Sequence, residues 1–349
     1  MKTVFVKIDF RLPIEEQVAD AAEIIKRGGL VAFPTETVYG LGASGLDAGA
    51  AERIYAAKGR PSDNPLIIHI AKPEDAEKYC VTGEVYYKLA RAFMPGPLTV
   101  ILPKKDVVPK TVTGGLETVA VRCPSDPVAH ALISLSGLPI AAPSANISGR
   151  PSPTEAQTVL EEMDGRIDMI IDGGECDIGL ESTIVKPTSD GVKLLRPGGI
   201  TVEMLKSVVG NVTLDKVITE KPSSDEAPEA PGMKYRHYAP RAKVTLILRE
   251  GGEFVTKAAG FLAEKIAEDE KTGVLCTDEI AAKLRGRYVV SLGAEGDAKT
   301  HAHRLFSALR GFDGTDVSRI YAVSDGEDGI GLALYNRMLK AAGYDVIKI

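Results

Sequence analysis

From Lys243 onward, apolar runs of strand length alternate with segments of helical spacing. "KVTLILRE" (243–250) reads as a strand and "FVTKAAGFLAEKIAED" as a helix. "TGVLCTD" is a strand, "EIAAKLRG" a short helix and "RYVVSLG" a strand. "AKTHAHRLFSALRGFD" is helical, "VSRIYAVSD" a strand and "GLALYNRMLKAAG" a closing helix. Each crossover helix must cover a sheet face, so this alternation predicts a parallel, doubly wound sheet with its own core.

The chain before Leu214 has a less regular pattern. "IEEQVADAAEIIKRGG" is expected to form one amphipathic helix stopped by its glycines, and "DAGAAERIYAAKG" a helix opened by Asp47. "LVAFP", "PLIIHIA", "LTVILP", "TVAVRCP", "PIAAPSA", "DMIIDGG", "STIVKP" and "VKLLRPGG" read as short strands. Some follow one another with no room for a helix, which requires a partly antiparallel sheet. The fold class is therefore α/β, a mixed sheet with flanking helices followed by a Rossmann-like parallel α/β domain. The expected division is 1–214, a linker 215–242, and 243–349. The middle of the linker, "TEKPSSDEAPEAPG", has no face to bury.

Charge narrows the partners. The chain has 349 residues, a net charge of −6 and a pI near 5.6, which disfavours a surface devoted to nucleic acid but permits a local basic pocket. The four cysteines are far apart and form no C-x-x-C pair, so reduced thiols are expected rather than a disulfide framework or a zinc site. The opening "MKTVFVKIDFRLP" lacks a signal-peptide pattern, and no run reaches the ~18 apolar residues of a membrane span. A cytoplasmic protein without membrane attachment is the expectation.

"GLGASG" (40–45) formally matches a dinucleotide fingerprint, but "TETVY" separates it from the preceding strand, so a tight turn is expected there. In "AKGRPSDNPLIIHI", Lys58 and Arg60 end a helix, and Asn64 and His69 follow. A helix cap and a core histidine would explain them singly. Together, two cations and an amide on one loop suit a polyphosphate. "APSANISGRPSPT" gathers Ser144, Asn146 and Ser152 after an apolar strand, as a turn or as a ligand loop. Arg122 closes "TVAVR" and requires an anion or solvent, while Ser182 and Arg196 stand at two further strand ends. No nucleophile elbow, Walker loop or acidic metal motif is present. This inventory suits positioning and electrostatic stabilisation of phosphate chemistry rather than covalent catalysis.

The segments "FPTETVYGLG", "KGRPSDNPL", "PGPLTVIL", "VAVRCP", "APSANISG" and "STIV" resemble the YrdC-like family, with its K-x-R and S-x-N pairs at Lys58/Arg60 and Ser144/Asn146. The "PGMKYRHYAP" linker and the α/β block after it are similar to the long, two-domain form of threonylcarbamoyl-AMP synthase. The resemblance implies synthesis of threonylcarbamoyl-AMP and pyrophosphate from L-threonine, bicarbonate and ATP. A downstream complex would move the product onto the tRNA adenosine next to the anticodon, so tRNA is acted on indirectly. Family positions for ATP fall on Lys58, Arg60, Asn64, Thr118, Ser144, Asn146, Ser152, Arg196 and Tyr235. Those for threonine fall on Thr37, His69, Arg122, the Ala142 backbone and Ser182, with Thr35 added as a threonine or carbamate contact. Lys58 and Arg60 would neutralise developing charge, with Mg²⁺ held mainly by ATP phosphates and water and no protein metal site. The cationic, aromatic end of the linker would close over the nucleotide as a lid. Alternatives are a carbamoyl-adenylate-forming enzyme on the same fold and an RNA-binding YrdC-like module.

Overall fold

A computed structural model describes residues 2–221, 228–231, 237–324 and 326–349. The chain divides into two compact units, Met1–Ser148 with Ser152–Lys234, and Gly149–Pro151 with Tyr235–Ile349.

The first unit is built on one mixed sheet. Its strands are β1 (Val4–Lys7), β2 (Val31–Phe33), β3 (Gly40–Ser44), β4 (Ile67–His69), β5 (Leu98–Pro103), β6 (Thr118–Arg122), β7 (Ile140–Ala141), β8 (Met169–Asp172), β9 (Thr183–Pro187), β10 (Gly191–Arg196) and β11 (Asn211–Leu214). They lie in the order β1-β8-β2-β3-β7-β4-β6-β5-β9-β10-β11. β4 runs parallel to β6 and antiparallel to β7, and β5 runs antiparallel to β6 and parallel to β9. Helices Ala19–Lys26 and Pro127–Ser136 cover β2 and β8, with Ala22, Ile25, Val128 and Leu132 against Val31, Phe33 and Ile171. Asp126 opens the second helix by accepting from the amides of Val128 and Ala129, each at 2.9 Å. Asp47 does the same for helix Ala48–Lys58, which ends on Gly59 in the left-handed conformation and so delivers Lys58 at its last turn.

The sequence reading needs correction at three places. Gly40–Ser44 is a fully buried strand, not a turn. Its glycine content reflects packing, because a Cβ on Gly42 would lie 2.6 Å from Phe33 and 2.7 Å from Ile140. The expected helix over 14–29 is two, Ile14–Gln17 and Ala19–Lys26, broken at the buried Val18. Strands β1 and β11 were not foreseen; β1 and β11 are both largely exposed, so neither carries a clean buried pattern.

The second unit is an all-parallel sheet of β12 (Lys243–Leu248), β13 (Thr272–Cys276), β14 (Tyr288–Ser291), β15 (Arg319–Ser324) and β16 (Val346–Lys348), in the order β14-β13-β15-β12-β16. Ile247, Val274 and Val323 pack against Phe254 and Leu262 of helix Phe254–Glu268. Tyr238 is buried in this unit, stacked 5.2 Å from the Phe306 ring with the Arg337 guanidinium 5.6 Å from its own. Only the short final strand β16 escaped the sequence reading here.

Candidate active site

The centre of the mixed sheet carries a row of polar side chains on one face. His69 of β4 and Thr99 of β5 both pair directly with Arg122 of β6, so the three project to the same side. Thr99 Oγ1 lies 2.7 Å from Ser182 Oγ, and Arg196 extends the row by donating from Nη2 to Ser182 Oγ at 3.1 Å and from Nε to Ser182 O at 3.0 Å. All five are buried. His69 Nδ1 is 3.2 Å from Ile140 O, and burial followed by the Arg122 charge pushes its pKa down to about 3, which keeps the ring neutral.

Arg122 finds its anion in Glu36. Glu36 Oε1 lies 2.8 Å from Arg122 Nη2, and the pair is 7% and 4% exposed. Sequence reasoning passed over Glu36 because it sits between two threonines in what reads as a hydroxyl-rich turn. The signal was the need of Arg122 for a negative partner. The loop is stiff: Thr35 Oγ1 accepts from the Thr37 and Val38 amides at 3.2 Å, donates to Val38 O at 2.6 Å and lies 2.8 Å from Thr37 Oγ1.

The second group is the pair of cationic loops. Lys58 is 1% exposed and donates to the carbonyls of Ser144 and Asn146. Ser148 N returns a bond to Lys58 O at 2.9 Å, and Ser144 Oγ donates to Asn146 Oδ1 at 2.5 Å. Arg60 donates to the carbonyls of Asn64 (3.2 Å) and Pro65 (2.9 Å). Both cations therefore brace backbone, a role the sequence did not disclose. Asn64 is 1% exposed, yet neither side-chain amide atom has a hydrogen-bond partner among the described residues. An unpaired buried carboxamide is costly and marks a place for a ligand. Ala142 N is taken by Ile67 O at 2.9 Å, which leaves its carbonyl as the group it can offer.

Ser152 joins the row indirectly, donating to Glu181, the neighbour of Ser182. Thr118 stands four residues from Arg122 on the same strand, ~13 Å away, beside the entry of β4 and its Asn64–Pro65 segment. Tyr235 lies outside the described residues, as do Lys234 and Arg236. The linker just before them is held to the first unit. Ala230 is fully buried among Ile67, Ile101 and Ala120, on the face that carries the polar row. Pro231 O accepts from Arg196 Nη1 at 3.3 Å. The four cysteines are buried free thiols.

The described residues combine one mixed and one parallel α/β sheet with a buried set of cations, hydroxyls and amides, an arrangement suited to an enzyme that positions a nucleotide and an anionic group. The family model described as "Telomere recombination" (Sua5_yciO_yrdC) matches residues 23–198, and the model "Threonylcarbamoyl-AMP synthase, C-terminal domain" matches residues 200–343. The chain is 48% identical to threonylcarbamoyl-AMP synthase of Pyrococcus abyssi over 98% of this chain and 99% of that one. It is 47% identical to that of Bacillus subtilis over 96% and 95%. The crystal structure of P. abyssi Sua5 complexed with L-threonine superposes with a TM-score of 0.92 at 46% identity, covering 99% of this chain and 100% of that one. The chain belongs to the threonylcarbamoyl-AMP synthase family.

Proposed function

We propose that this chain makes threonylcarbamoyl-AMP and pyrophosphate from L-threonine, bicarbonate and ATP. The observation that carries the reading is kinship over the whole length of the chain, combined with two buried polar groups of complementary chemistry on one unit. The row of His69, Arg122 and Ser182, with Thr35, Thr37 and the Ala142 carbonyl, takes threonine. Arg122 grips its carboxylate, and the neutral His69 accepts or donates a hydrogen bond without adding charge. Lys58, Arg60, Asn64, Thr118, Ser144, Asn146, Ser152 and Arg196 form the nucleotide side, with the unpaired amide of Asn64 as its clearest vacancy for a partner.

The chemistry needs no protein nucleophile. The threonine amine and bicarbonate give a carbamate and water; a carbamate oxygen then forms a bond to the α-phosphorus as the bond to pyrophosphate breaks. The chain's part is to align these groups, exclude water and stabilise charge through Lys58 and Arg60. Mg²⁺ would arrive on the triphosphate and keep most of its water ligands. Tyr235 would reach the nucleotide as part of the linker lid. Pro231 is fixed on Arg196 four residues earlier, a span of ~14 Å at most. The product would pass to a transferase complex acting on tRNA. No helix of the described chain is long and apolar enough to cross a membrane.

Pyrophosphate release from Mg-ATP and bicarbonate tests this, with threonine, serine, valine or no amino acid added. Release that requires both threonine and bicarbonate is the expected result. Threonine-independent cleavage, or none, would reopen the carbamoyl-adenylate and RNA-binding alternatives.

A further inference from the structure

Buried ion pairs are tolerated when the remaining lone pairs and N–H groups of both partners are filled. The pair between Glu36 and Arg122 is not filled. Arg122 Nε reaches Gly96 O at 3.4 Å, but its Nη2 donates no hydrogen bond, and neither oxygen of Glu36 accepts one among the described residues. The 2.8 Å approach of Glu36 Oε1 to Nη2 lacks hydrogen-bond alignment. Besides the ion pair with Arg122, backbone bonds hold the segment in place. Ile178 N donates to Glu36 O at 2.9 Å, and Gly179 N to Thr37 O at 3.1 Å.

The ion pair therefore leaves hydrogen-bonding capacity unused on both partners, N–H donors on the guanidinium and lone pairs on the carboxylate. A ligand carrying one carboxylate and one ammonium on the same carbon fills both. A metal ion would not serve as well, because a single carboxylate supplies too few donors and no metal-binding group of three is found among the described residues. An ammonium brings three N–H donors, enough to meet both oxygens of Glu36.

We propose that Glu36 is the residue that reads the α-amino group of the substrate, acting with Arg122 as a paired reader of a zwitterionic α-amino acid. This rests on the synthase reading. It makes the site specific for amino acids over the corresponding α-hydroxy acids, since a hydroxyl offers Glu36 one neutral donor where an ammonium offers charge-assisted ones. When the amine becomes a carbamate its N–H remains a donor, so the contact with Glu36 can persist through the reaction.

Calorimetric titration tests the proposal with L-threonine and with 2,3-dihydroxybutanoate, which replaces the amine by a hydroxyl. The unaltered protein should bind threonine about 10- to 100-fold more tightly than the hydroxy acid. Glu36→Gln should erase most of that ratio by weakening threonine alone, with ATP affinity kept, and Glu36→Asp should restore part of it. Equal weakening of both ligands would reduce Glu36 to a support for Arg122 and overturn the proposal. So would an unaltered protein that binds both ligands equally, a result that requires no variant to fold. Absence of any threonine binding to the unaltered protein would instead refute the synthase reading itself.

Discussion

Replacing Lys58 by methionine keeps the length of the stem and removes the ammonium that holds the Ser144 and Asn146 carbonyls. Each charge-assisted bond is worth ~1.5–3 kcal/mol net, so two set an upper range of ~3–6 kcal/mol. Relief from burying an ammonium at 1% exposure offsets part of this, and ~2–4 kcal/mol is the expected loss of local stability. The loop carries its own reporters. Ala145 N donates to Tyr39 O at 2.8 Å and Ser148 N to Lys58 O at 2.9 Å, and both bonds involve backbone atoms that the substitution leaves in place. Native-state hydrogen exchange should show both amides exchanging ~30- to 1,000-fold faster, with Leu246 in β12 unchanged. Pyrophosphate release should fall at least ~100-fold, because loop order and phosphate charge are lost together. Unchanged protection of Ala145 and Ser148 would refute the bracing role, even if turnover fell.

Other consequences are open to direct measurement. Gly42→Ala places a methyl 2.6 Å from Phe33 and 2.7 Å from Ile140 and should cost the first unit ~1–3 kcal/mol in thermal unfolding. His69 is held near pKa 3, below its ordinary ~6.5. Between those values the unfolded chain binds a proton that the folded one refuses, so stability should fall as pH is lowered through that window, and His69→Gln should flatten the dependence in urea titrations. Tyr238→Ala empties a buried ring site against Phe306 and should destabilise the second unit by ~3–5 kcal/mol, read from its own unfolding transition. Tyr235→Ala should raise the KM for ATP more than that for threonine if the linker closes over the nucleotide.

The second unit was legible because a helix separates each strand from the next in the chain, a pattern that calls for parallel crossovers. The mixed sheet was legible only in pieces. Gly40–Ser44 hid because its strand character comes from what overlies it, Phe33 and Ile140, and not from its own side chains. Val18 broke a helix whose apolar spacing gave no warning. At the site, Lys58, Arg60, Ser144 and Asn146 stood out as residue types, but their pairing across 86 or 88 positions could not be read from spacing. Glu36 shows the limit most clearly. A carboxylate in a threonine-rich turn looks solvated until the strand bearing Arg122 is placed beside it.

The polar row also sets a condition on how the protein comes into being. Glu36, His69, Thr99, Arg122, Ser182 and Arg196 come from six separate stretches of chain, and the residues that pair between β5 and β9, such as Leu98 and Thr183, lie 85 positions apart. Such non-local pairing forms late, after its loop-closure entropy has been overcome. A nascent chain emerging from the ribosome therefore has no partial enzyme within it. The polar row is incomplete until residue 196 has been made and its strand has docked. Fragments ending before that point should bind neither threonine nor ATP.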